Sequence, residues 1–244
     1  MNILVIDIGN TRIKWGLSQN GGWMRQGWAP TAQAGGLAVE FSALPAAERI
    51  AIANVAGTTV RAEVTQVLAG ARCTPQWVTG VAAQCGVRSG YAEPTTLGPD
   101  RWAALIGAWH LTGTACVVVN IGTTMTVDAL NDEGVFLGGC IVPGATLMRA
   151  ALARDTANLA LREGSFQYFP DNTGDAIASG AVNALTGAVE RMLRYLEEIT
   201  GAAPMVVLSG GDAGLVEKQL NARVTVVDNL VLEGLLQIAL QPGS

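Results

Sequence analysis

The chain has 244 residues, of which 50% are apolar and 14% are charged, and its formal net charge is −5. This composition supplies enough apolar surface for a buried core and excludes a disordered chain. The acidic balance disfavours nonspecific nucleic-acid binding, which needs a basic face to displace counterions. It does not exclude anionic ligands, because backbone N–H groups can hold phosphate on an acidic protein. The length allows one large domain or two of about 120 residues each.

The opening segment and the cysteines indicate the cellular compartment. Residues 1–7 lack the basic region of a secretory signal and already reach a carboxylate at Asp7. No cysteine pair has the C-x-x-C spacing of a zinc or dithiol site, so buried free thiols in a reducing cytosol are expected. The cysteines are Cys73, Cys85, Cys116 and Cys140. Residues 102–127 carry no Asp, Glu, Lys or Arg, yet their threonines, His110 and Asn120 favour a helix and a buried strand over a membrane span. We therefore expect a cytoplasmic protein that does not bind membranes.

A repeated strand pattern marks each half of the chain. In each copy, a short β-branched run ends at a glycine, and polar residues that include threonine separate it from a second apolar run. Such runs predict strands. They are residues 3–8 and 13–17 in the first copy and residues 116–121 and 125–130 in the second. The two copies lie close to half a chain apart, which indicates an internal duplication. We place two similar domains at residues 1–114 and 115–244, with a ligand cleft between them.

The remaining elements alternate between strand and helix, which predicts an α/β fold. The strongest helical pattern lies at residues 177–199, where apolar residues recur at helical spacing with charged residues between them. The other predicted strands are residues 49–55, 205–208 and 224–227, and the other predicted helices are residues 59–69, 100–111 and 230–240.

The segment from Asp7 to Lys14 carries groups suited to phosphate binding. A strand that turns at Gly9 lets the backbone approach an anion without a Cβ in the way. Asn10 and Thr11 add side-chain donors. Lys14 adds positive charge, and Asp7 could hold hydrated Mg²⁺ that bridges to the phosphate. An ordinary β-hairpin is the alternative interpretation, because Gly-Asn is a favourable turn pair.

Two later loops offer related chemistry. Residues 120–124, Asn-Ile-Gly-Thr-Thr, would face the first loop and help to clamp a polyphosphate between the domains. Residues 209–212, Ser-Gly-Gly-Asp, would let a flat adenine or ribose lie against the backbone, although a strand-to-helix turn is the simpler explanation of them.

Asp100 is the candidate general base. Pro99 rigidifies the approach to it, and the pattern predicts Asp100 as a helix N-cap, which is the alternative role. One carboxylate with Mg²⁺ and a cation is sufficient for phosphoryl transfer, which needs mainly positioning and charge neutralisation. Arg101 could grip a substrate carboxylate or phosphate by its planar fork.

Other features of the sequence are less specific. Residues 138–144 form a glycine-rich crossing that should bring the backbone close to a neighbour. Residues 172–175 precede the long helix, where Thr173 could donate to a ligand or belong to a capping segment. His110, the single histidine, is interpreted as a core or surface residue rather than a catalytic one.

Taken in order, the motifs DxGNTxxK, GPDR, xxGTTxTxD, GGxIxPG, NTxxAIxxG and LSGGD resemble those of the type III pantothenate kinases, over about residues 3–234. The resemblance implies the fold of the acetate kinases, sugar kinases, Hsc70 and actin, with two ribonuclease-H-like domains and a nucleotide cleft between them. It implies ATP-dependent phosphorylation of pantothenate to 4'-phosphopantothenate, the first step of coenzyme A biosynthesis. It also implies a homodimer with pantothenate bound near the subunit interface.

The resemblance further implies roles for individual residues. Asp100 would accept the proton, and Thr173 of the partner subunit would complete the substrate site. The implied ATP-binding residues are Asp7, Ile8, Gly9, Asn10, Thr11, Arg12, Ile13, Lys14 and Thr123. The implied substrate-binding residues are Tyr91, Gly98, Pro99, Asp100, Arg101 and Thr173. The implied cofactors are ATP, Mg²⁺ or a similar divalent cation, and a monovalent cation such as K⁺ or NH₄⁺.

One position departs from the family pattern. The family usually has Asp where this chain has Asn120, and that carboxylate helps to bind the monovalent cation. Asn120 keeps a carbonyl oxygen but no charge, so we expect reduced or altered dependence on monovalent cations rather than lost catalysis.

Two other functions remain compatible with the same fold. A nonenzymatic nucleotide-binding regulator would not need the Asp100-Arg101 pair, and a phosphohydrolase would place water where the substrate hydroxyl lies. Release of ADP with and without pantothenate separates these possibilities.

Overall fold

The structure is a computed structural model that describes residues 1–156, 159 and 163–241. The chain forms two compact units: residues Met1–Gly113 with Asn229–Ser244, and residues Thr114–Asp228. The change of unit after Gly113 lies next to the predicted boundary at 114/115. The closing segment differs from that prediction, because it packs with the first unit rather than the second.

The strands and helices are numbered in chain order. The strands are β1 (Asn2–Ile8), β2 (Arg12–Gln19), β3 (Gly22–Pro30), β4 (Arg49–Asn54), β5 (Gln76–Trp77), β6 (Ala83–Gln84), β7 (Val87–Ser89), β8 (Cys116–Ile121), β9 (Thr124–Leu130), β10 (Val135–Pro143), β11 (Met205–Ser209) and β12 (Val224–Val226). The α-helices are α1 (Leu37–Ser42), α2 (Thr58–Val67), α3 (Pro99–Thr112), α4 (Ala145–Asp155), α5 (Thr173–Thr200), α6 (Ala213–Glu217) and α7 (Leu230–Leu240). Short 3₁₀ segments lie at Thr31–Gly36 and Pro94–Thr96.

The sheet of the first unit has the order β3-β2-β1-β4-β5. The first three strands form an antiparallel meander, and β4 and β5 add in parallel. One face is covered by the apolar side chains of α1 and α2, which surround Ile6, Ile8, Ile13 and Trp15. The opposite face carries Asp7, because successive side chains of a strand point to opposite sides.

Helices α3 and α7 pack closely against each other in the first unit. Gly107 of α3 faces α7, where an added Cβ would lie 2.7 Å from the Leu230 carbonyl oxygen, and a Cβ on Gly234 would clash with the Ala103 carbonyl. The C-terminal end of α7 is bound by Arg49, whose Nη1 donates to the Ala239 oxygen at 2.6 Å. These contacts explain why an almost entirely apolar closing helix belongs to the first unit.

The strands of the second unit repeat the arrangement of the first. Strands β10, β9 and β8 form an antiparallel meander, and β11 and β12 add in parallel beyond β8. The order β10-β9-β8-β11-β12 therefore matches β3-β2-β1-β4-β5 element by element. The apolar side of α5, which includes Leu185, Val189 and Leu196, packs into the core of this unit. The duplication predicted from the two strand patterns is confirmed at the level of topology.

Several predicted elements match closely and others were missed. Strand β8 and helix α7 have the predicted bounds, and α5 begins four residues before the predicted start at 177, at Thr173. Strands β3 and β10 and helix α4 were not predicted. Residues 138–144, predicted as a crossing, lie mostly in strand β10. Among the described residues, no helix combines the length and apolar character needed to cross a membrane.

Candidate active site

The segment from Asp7 to Lys14 is a β-hairpin. Strands β1 and β2 pair from Asn2↔Gln19 to Ile8↔Ile13, and the N–H of Gly9 donates to the carbonyl of Arg12 at 3.0 Å. Thr31 fixes the turn from outside, because its Oγ1 donates to the Gly9 carbonyl at 2.7 Å. The hairpin interpretation of this segment is therefore correct. It is compatible with phosphate binding, because the tight turn presents exposed Asn10, Thr11 and Arg12.

Charged side chains lie side by side on one face of this hairpin. Asp7 of β1 is directly opposite Lys14 of β2, and Lys14 is directly opposite Trp28 of β3. Directly paired residues of antiparallel strands point to the same side of the sheet. A carboxylate, an ammonium group and an indole therefore form one row across three strands.

The pKa of Asp7 is raised to about 7, first because the carboxylate lies deep among protein atoms, then because Asp100 is negatively charged, while Lys14 acts in the opposite direction. Although water reaches part of the side chain, the surrounding protein removes most of its hydration. Within the described part of the chain, no hydrogen bond to the Asp7 carboxylate forms. A carboxylate in this state favours a bound cation, which would restore its charged form.

Asp100 lies at the start of α3 but is not its N-cap. Gly98 occupies the N-cap position, Pro99 is the first helical residue, and Asp100 is the second. The predicted capping role is therefore wrong, because the chain enters the helix one residue before Pro99. A Cβ on Gly98 would lie 2.7 Å from Asp100 Oδ1, so the glycine leaves room for this carboxylate.

Burial raises the pKa of Asp100, while the Arg101 backbone N–H and the Arg101 charge lower it. Asp7 and Asp100 come from different elements of the first unit, yet the charge of one changes the ionisation of the other. The two carboxylates that the sequence motifs singled out thus belong to one electrostatic site. A carboxyl whose pKa is raised is a better proton acceptor than an ordinary aspartate.

Arg101 and Tyr91 form a pair beside Asp100. Arg101 is 7% exposed, and its Nη1 donates to the Tyr91 hydroxyl at 3.2 Å. The same guanidinium lies over the Tyr91 ring, 5.9 Å from its centroid. Because the Tyr91 hydroxyl and ring hold it, the buried Arg101 guanidinium has a fixed direction. The predicted substrate residues of the first unit are Tyr91, Gly98, Pro99, Asp100 and Arg101.

The second hairpin contains Asn120 and Thr123 and lies in the second unit. Asn120 is half-buried at the end of β8, opposite Thr126 of β9 and beside Ser209 of β11. The N–H of Gly122 donates to the Thr124 carbonyl at 2.9 Å. Thr123 is exposed on this turn.

The small residues at 144 and 209–212 surround the turn between β8 and β9. A Cβ on Gly144 would clash with the Gly122 carbonyl, and one on Gly210 would clash with the Ile121 carbonyl. The glycine-rich segments at residues 138–144 and 209–212 therefore bring their backbone close to the turn of the β8–β9 hairpin. This packing accounts for glycine at 144 and 210, and the approach of adenine or ribose to residues 209–212 stays a prediction.

Thr173 is the first residue of α5 and is exposed. Asn172 is the N-cap, and its side chain accepts a hydrogen bond from the Asp175 N–H at 3.0 Å. The capping interpretation of residues 172–175 is confirmed for Asn172. Thr173 belongs to the second unit, as do Asn120 and Thr123, while all other predicted site residues belong to the first.

Trp28 is the residue of this site that the sequence motifs did not reveal. Its place beside Lys14 follows from strand β3, which was not predicted. The signal was present, because Asn20 and Gly21 both have positive φ and form the tight turn between β2 and β3. An Asn-Gly pair that follows a strand indicates an antiparallel partner strand.

The fold defines the class of protein. The structure superposes on a glucokinase of the ROK family from Streptomyces griseus with a TM-score of 0.55, 12% identity, and coverage of 98% of this chain and 99% of the other. It superposes on component A of the (R)-2-hydroxyglutaryl-CoA dehydratase from Acidaminococcus fermentans with a TM-score of 0.54, 13% identity, and coverage of 98% and 96%. The chain therefore has the two-unit fold shared by actin-like ATPases and sugar kinases, as its motifs implied.

The sequence comparisons identify the family within that class. A model of the type III pantothenate kinases matches residues 3–195. The type III pantothenate kinase of Nitrosospira multiformis is 48% identical over 97% of this chain and 90% of its own length, and that of Aromatoleum aromaticum is 46% identical over 97% of both chains. The chain belongs to the type III pantothenate kinase family, which confirms the resemblance.

Proposed function

We propose that this chain transfers the terminal phosphoryl group of ATP to the primary hydroxyl of pantothenate, which gives 4'-phosphopantothenate and begins coenzyme A biosynthesis. Family membership supports this proposal. The observation that carries it is the coupling of Asp7 and Asp100 in one unit. Two deeply placed carboxylates from separate elements serve no packing purpose, whereas phosphoryl transfer needs one near the phosphates and one near the attacking hydroxyl.

The first hairpin is proposed to hold the ATP phosphates. Its turn presents Asn10 and Thr11 as donors, and Lys14 supplies a positive charge next to Asp7. Thr123, at the turn of the second hairpin, is proposed as a further nucleotide-binding residue. The roles of Ile8, Gly9 and Ile13 would be to shape the turn through the pairing of β1 with β2.

Asp100 is proposed to take the proton from the pantothenate hydroxyl as the oxygen attacks phosphorus. Its raised pKa, caused mainly by burial, suits it to this step. The buried Arg101, held by Tyr91, is proposed to bind the pantothenate carboxylate through its planar fork. Gly98, as the N-cap, and Pro99, as the first helical residue, put Asp100 in the first turn of α3.

The residues present fit a divalent cation. Magnesium is usually held by one or two carboxylates together with substrate phosphates, and Asp7 offers a carboxylate without a hydrogen-bond donor among the described residues. The described residues contain no cluster of three or more His, Cys, Asp or Glu side chains. A bound Mg²⁺ would neutralise charge on the phosphates. Asn120, neutral at its strand end, is proposed to weaken the binding of a monovalent cation such as K⁺ or NH₄⁺.

We further propose that the protein is a homodimer and works in the cytoplasm, where ATP is available. The homodimer would let the exposed Thr173 of the partner subunit take part in pantothenate binding. Gel filtration with light scattering tests the dimer directly, and a monomer at assay concentration would contradict it.

A coupled assay of ADP release tests the proposed function. Release that depends on pantothenate supports the kinase, whereas equal release without pantothenate would indicate a phosphohydrolase, and no release would indicate a nucleotide-binding regulator. In this assay Asp100→Asn should lower kcat by about 10²- to 10⁴-fold. Near-normal turnover of that variant would remove Asp100 from the proposed role.

A further inference from the structure

Trp28 is an aromatic side chain on the edge of the first sheet that packing does not explain. It is 56% exposed on β3, the outermost strand of the order β3-β2-β1-β4-β5. Trp23 on the same strand connects the sheet to α7, because its Nε1 donates to Glu233 at 2.7 Å. Trp15 on β2 is buried in the core. Trp28 shares neither environment.

The contact that the Trp28 ring makes is with the side chain of Arg12. The guanidinium carbon of Arg12 lies over the indole, 4.7 Å from the ring centroid. This distance is within the range of an attractive cation–π contact. Arg12 is itself exposed at the start of β2, where a long side chain would otherwise sample many rotamers.

The register places this pair on the face of the sheet that carries Asp7. Arg12 and Lys14 are two residues apart on β2 and so point to the same side, and Lys14 lies opposite both Asp7 and Trp28. The stacked guanidinium is therefore next to the ammonium of Lys14, beside the turn that is proposed to hold the ATP phosphates.

We propose that Trp28 is a positioning residue that holds the Arg12 guanidinium as a second cation for the polyphosphate of ATP. This inference rests on the proposed function and refines its nucleotide site. A planar guanidinium binds phosphate oxygens in pairs, and a stacked one has lost most of its rotational freedom before ATP arrives. Trp28 thus acts on ATP through Arg12 and need not touch the nucleotide.

The chain offers a matched control at the opposite edge of the same sheet. Arg61 stacks on Trp77 of β5 at 4.4 Å from the ring centroid, and neither residue belongs to the proposed site. The variants to compare are Trp28→Leu, Trp28→Phe and Trp77→Leu, with KM for ATP, KM for pantothenate and kcat measured for each.

For Trp28→Leu we expect KM for ATP to rise about two- to fivefold, the size of an exposed cation–π contact, with kcat and KM for pantothenate unchanged. Trp28→Phe keeps an aromatic face and should recover most of the loss. Trp77→Leu should leave all three constants unchanged. In an Arg12→Leu background, Trp28→Leu should add nothing, because the cation that it positions is already gone.

An unchanged KM for ATP in Trp28→Leu would overturn the inference. An equal rise in the presence and absence of Arg12 would also overturn it, because Trp28 would then not act through Arg12. If wild-type protein releases no ADP in response to pantothenate, the proposed function fails. Calorimetric titration of the same variants with ATP would then still decide whether Trp28 and Arg12 bind the nucleotide together.

Discussion

The two hairpins β1–β2 and β8–β9 have the same place in their sheets but different chemistry. Each begins its unit, pairs antiparallel along its length, and has a parallel strand on the other side. In the first hairpin, the row at the strand end contains Asp7 and Lys14. In the second, the matching row contains Asn120 and Thr126, with Ser209 beside them. This strand-end row is charged in the first hairpin and uncharged in the second.

This difference shows that a duplicated backbone does not duplicate the side-chain chemistry at the strand ends. Backbone hydrogen bonds and apolar runs maintain both hairpins, whereas the groups at the strand ends are free to diverge. The surroundings diverge as well, because glycines pack closely on the second turn while the Thr31 side chain holds the first. We therefore expect changes to the first hairpin to affect mainly catalysis, and changes to the second to affect mainly stability and the response to cations.

The largest expected effect comes from replacing the carboxylate at the end of β1 with an amide, the group that the second hairpin has at Asn120. Asp7→Asn removes the carboxylate proposed to hold the divalent cation, and kcat/KM should fall by about 10²-fold or more. Asn120→Ala is the matched change in the second hairpin and should cost less than about tenfold. Steady-state kinetics of both variants measures the contrast, and equal losses would show that the two hairpins contribute equally.

The next effect concerns the packing of the second turn. Gly144→Ala would force a methyl group against the Gly122 carbonyl, and should lower the free energy of unfolding by about 1–3 kcal/mol. Gly211→Ala is a suitable control, because a Cβ there meets nothing within 4 Å and φ is not positive. Urea denaturation of both variants tests this. A Gly144→Ala protein as stable as the control would mean that the turn yields easily.

A smaller effect is the dependence of stability on pH at Asp7. Its pKa is about 7 in the folded protein against an ordinary value of 3.8, so ionisation of Asp7 opposes folding. Well below pH 3.8 the Asp7 carboxyl is protonated in both the folded and the unfolded state, and its ionisation does not affect stability. As pH rises towards 7 the unfolded state loses its proton first, and folding stability falls; above about pH 7 the cost is constant.

Asp7→Asn lacks this cost, so its stability relative to wild type should increase between about pH 4 and pH 7 and then stay level. The expected plateau is about 1–3 kcal/mol, below the full value because water reaches part of the side chain. Urea midpoints across this range provide the measurement. A relative stability that decreases with pH would have the wrong sign and contradict the raised pKa.

The smallest expected effect is a gain of charge in the second hairpin. Asn120→Asp should lower the K⁺ concentration for half-maximal activation by about tenfold at most, since a half-exposed carboxylate attracts a monovalent ion only moderately. Titration of KCl and NH₄Cl into the kinase assay tests this. Strong, saturable activation of the wild type at low concentration would show that Asn120 does not weaken the cation site.

The sequence predicted the parts of the fold that depend on local pattern. Strand β8 and helix α7 are almost entirely apolar runs, and both have the predicted bounds. Strand β3 was missed because glycines at 22 and 27 and exposed polar residues break its alternation. The assignment of α7 to the first unit depends on contacts with Gly107 and Arg49, which are distant in sequence and leave no local signal.

The candidate site was predictable as a set of motifs but not as a geometry. Asp7 and Asp100 each stood in a recognisable motif, yet nothing in either motif indicates that their charges interact. The predicted N-cap at Asp100 was wrong because the helix begins at Pro99, so the N-cap is Gly98, two residues before the carboxylate. The roles of the site residues stay predictions until the variants are measured.

The placement of α7 has a consequence for biosynthesis. Because this helix completes the first unit, the ribosome must finish the whole second unit before the first can close over the apolar surface of α3. The second unit is continuous in the chain and can fold first. A nascent chain stalled before residue 229 would expose the α3 surface and should be prone to aggregation and chaperone binding.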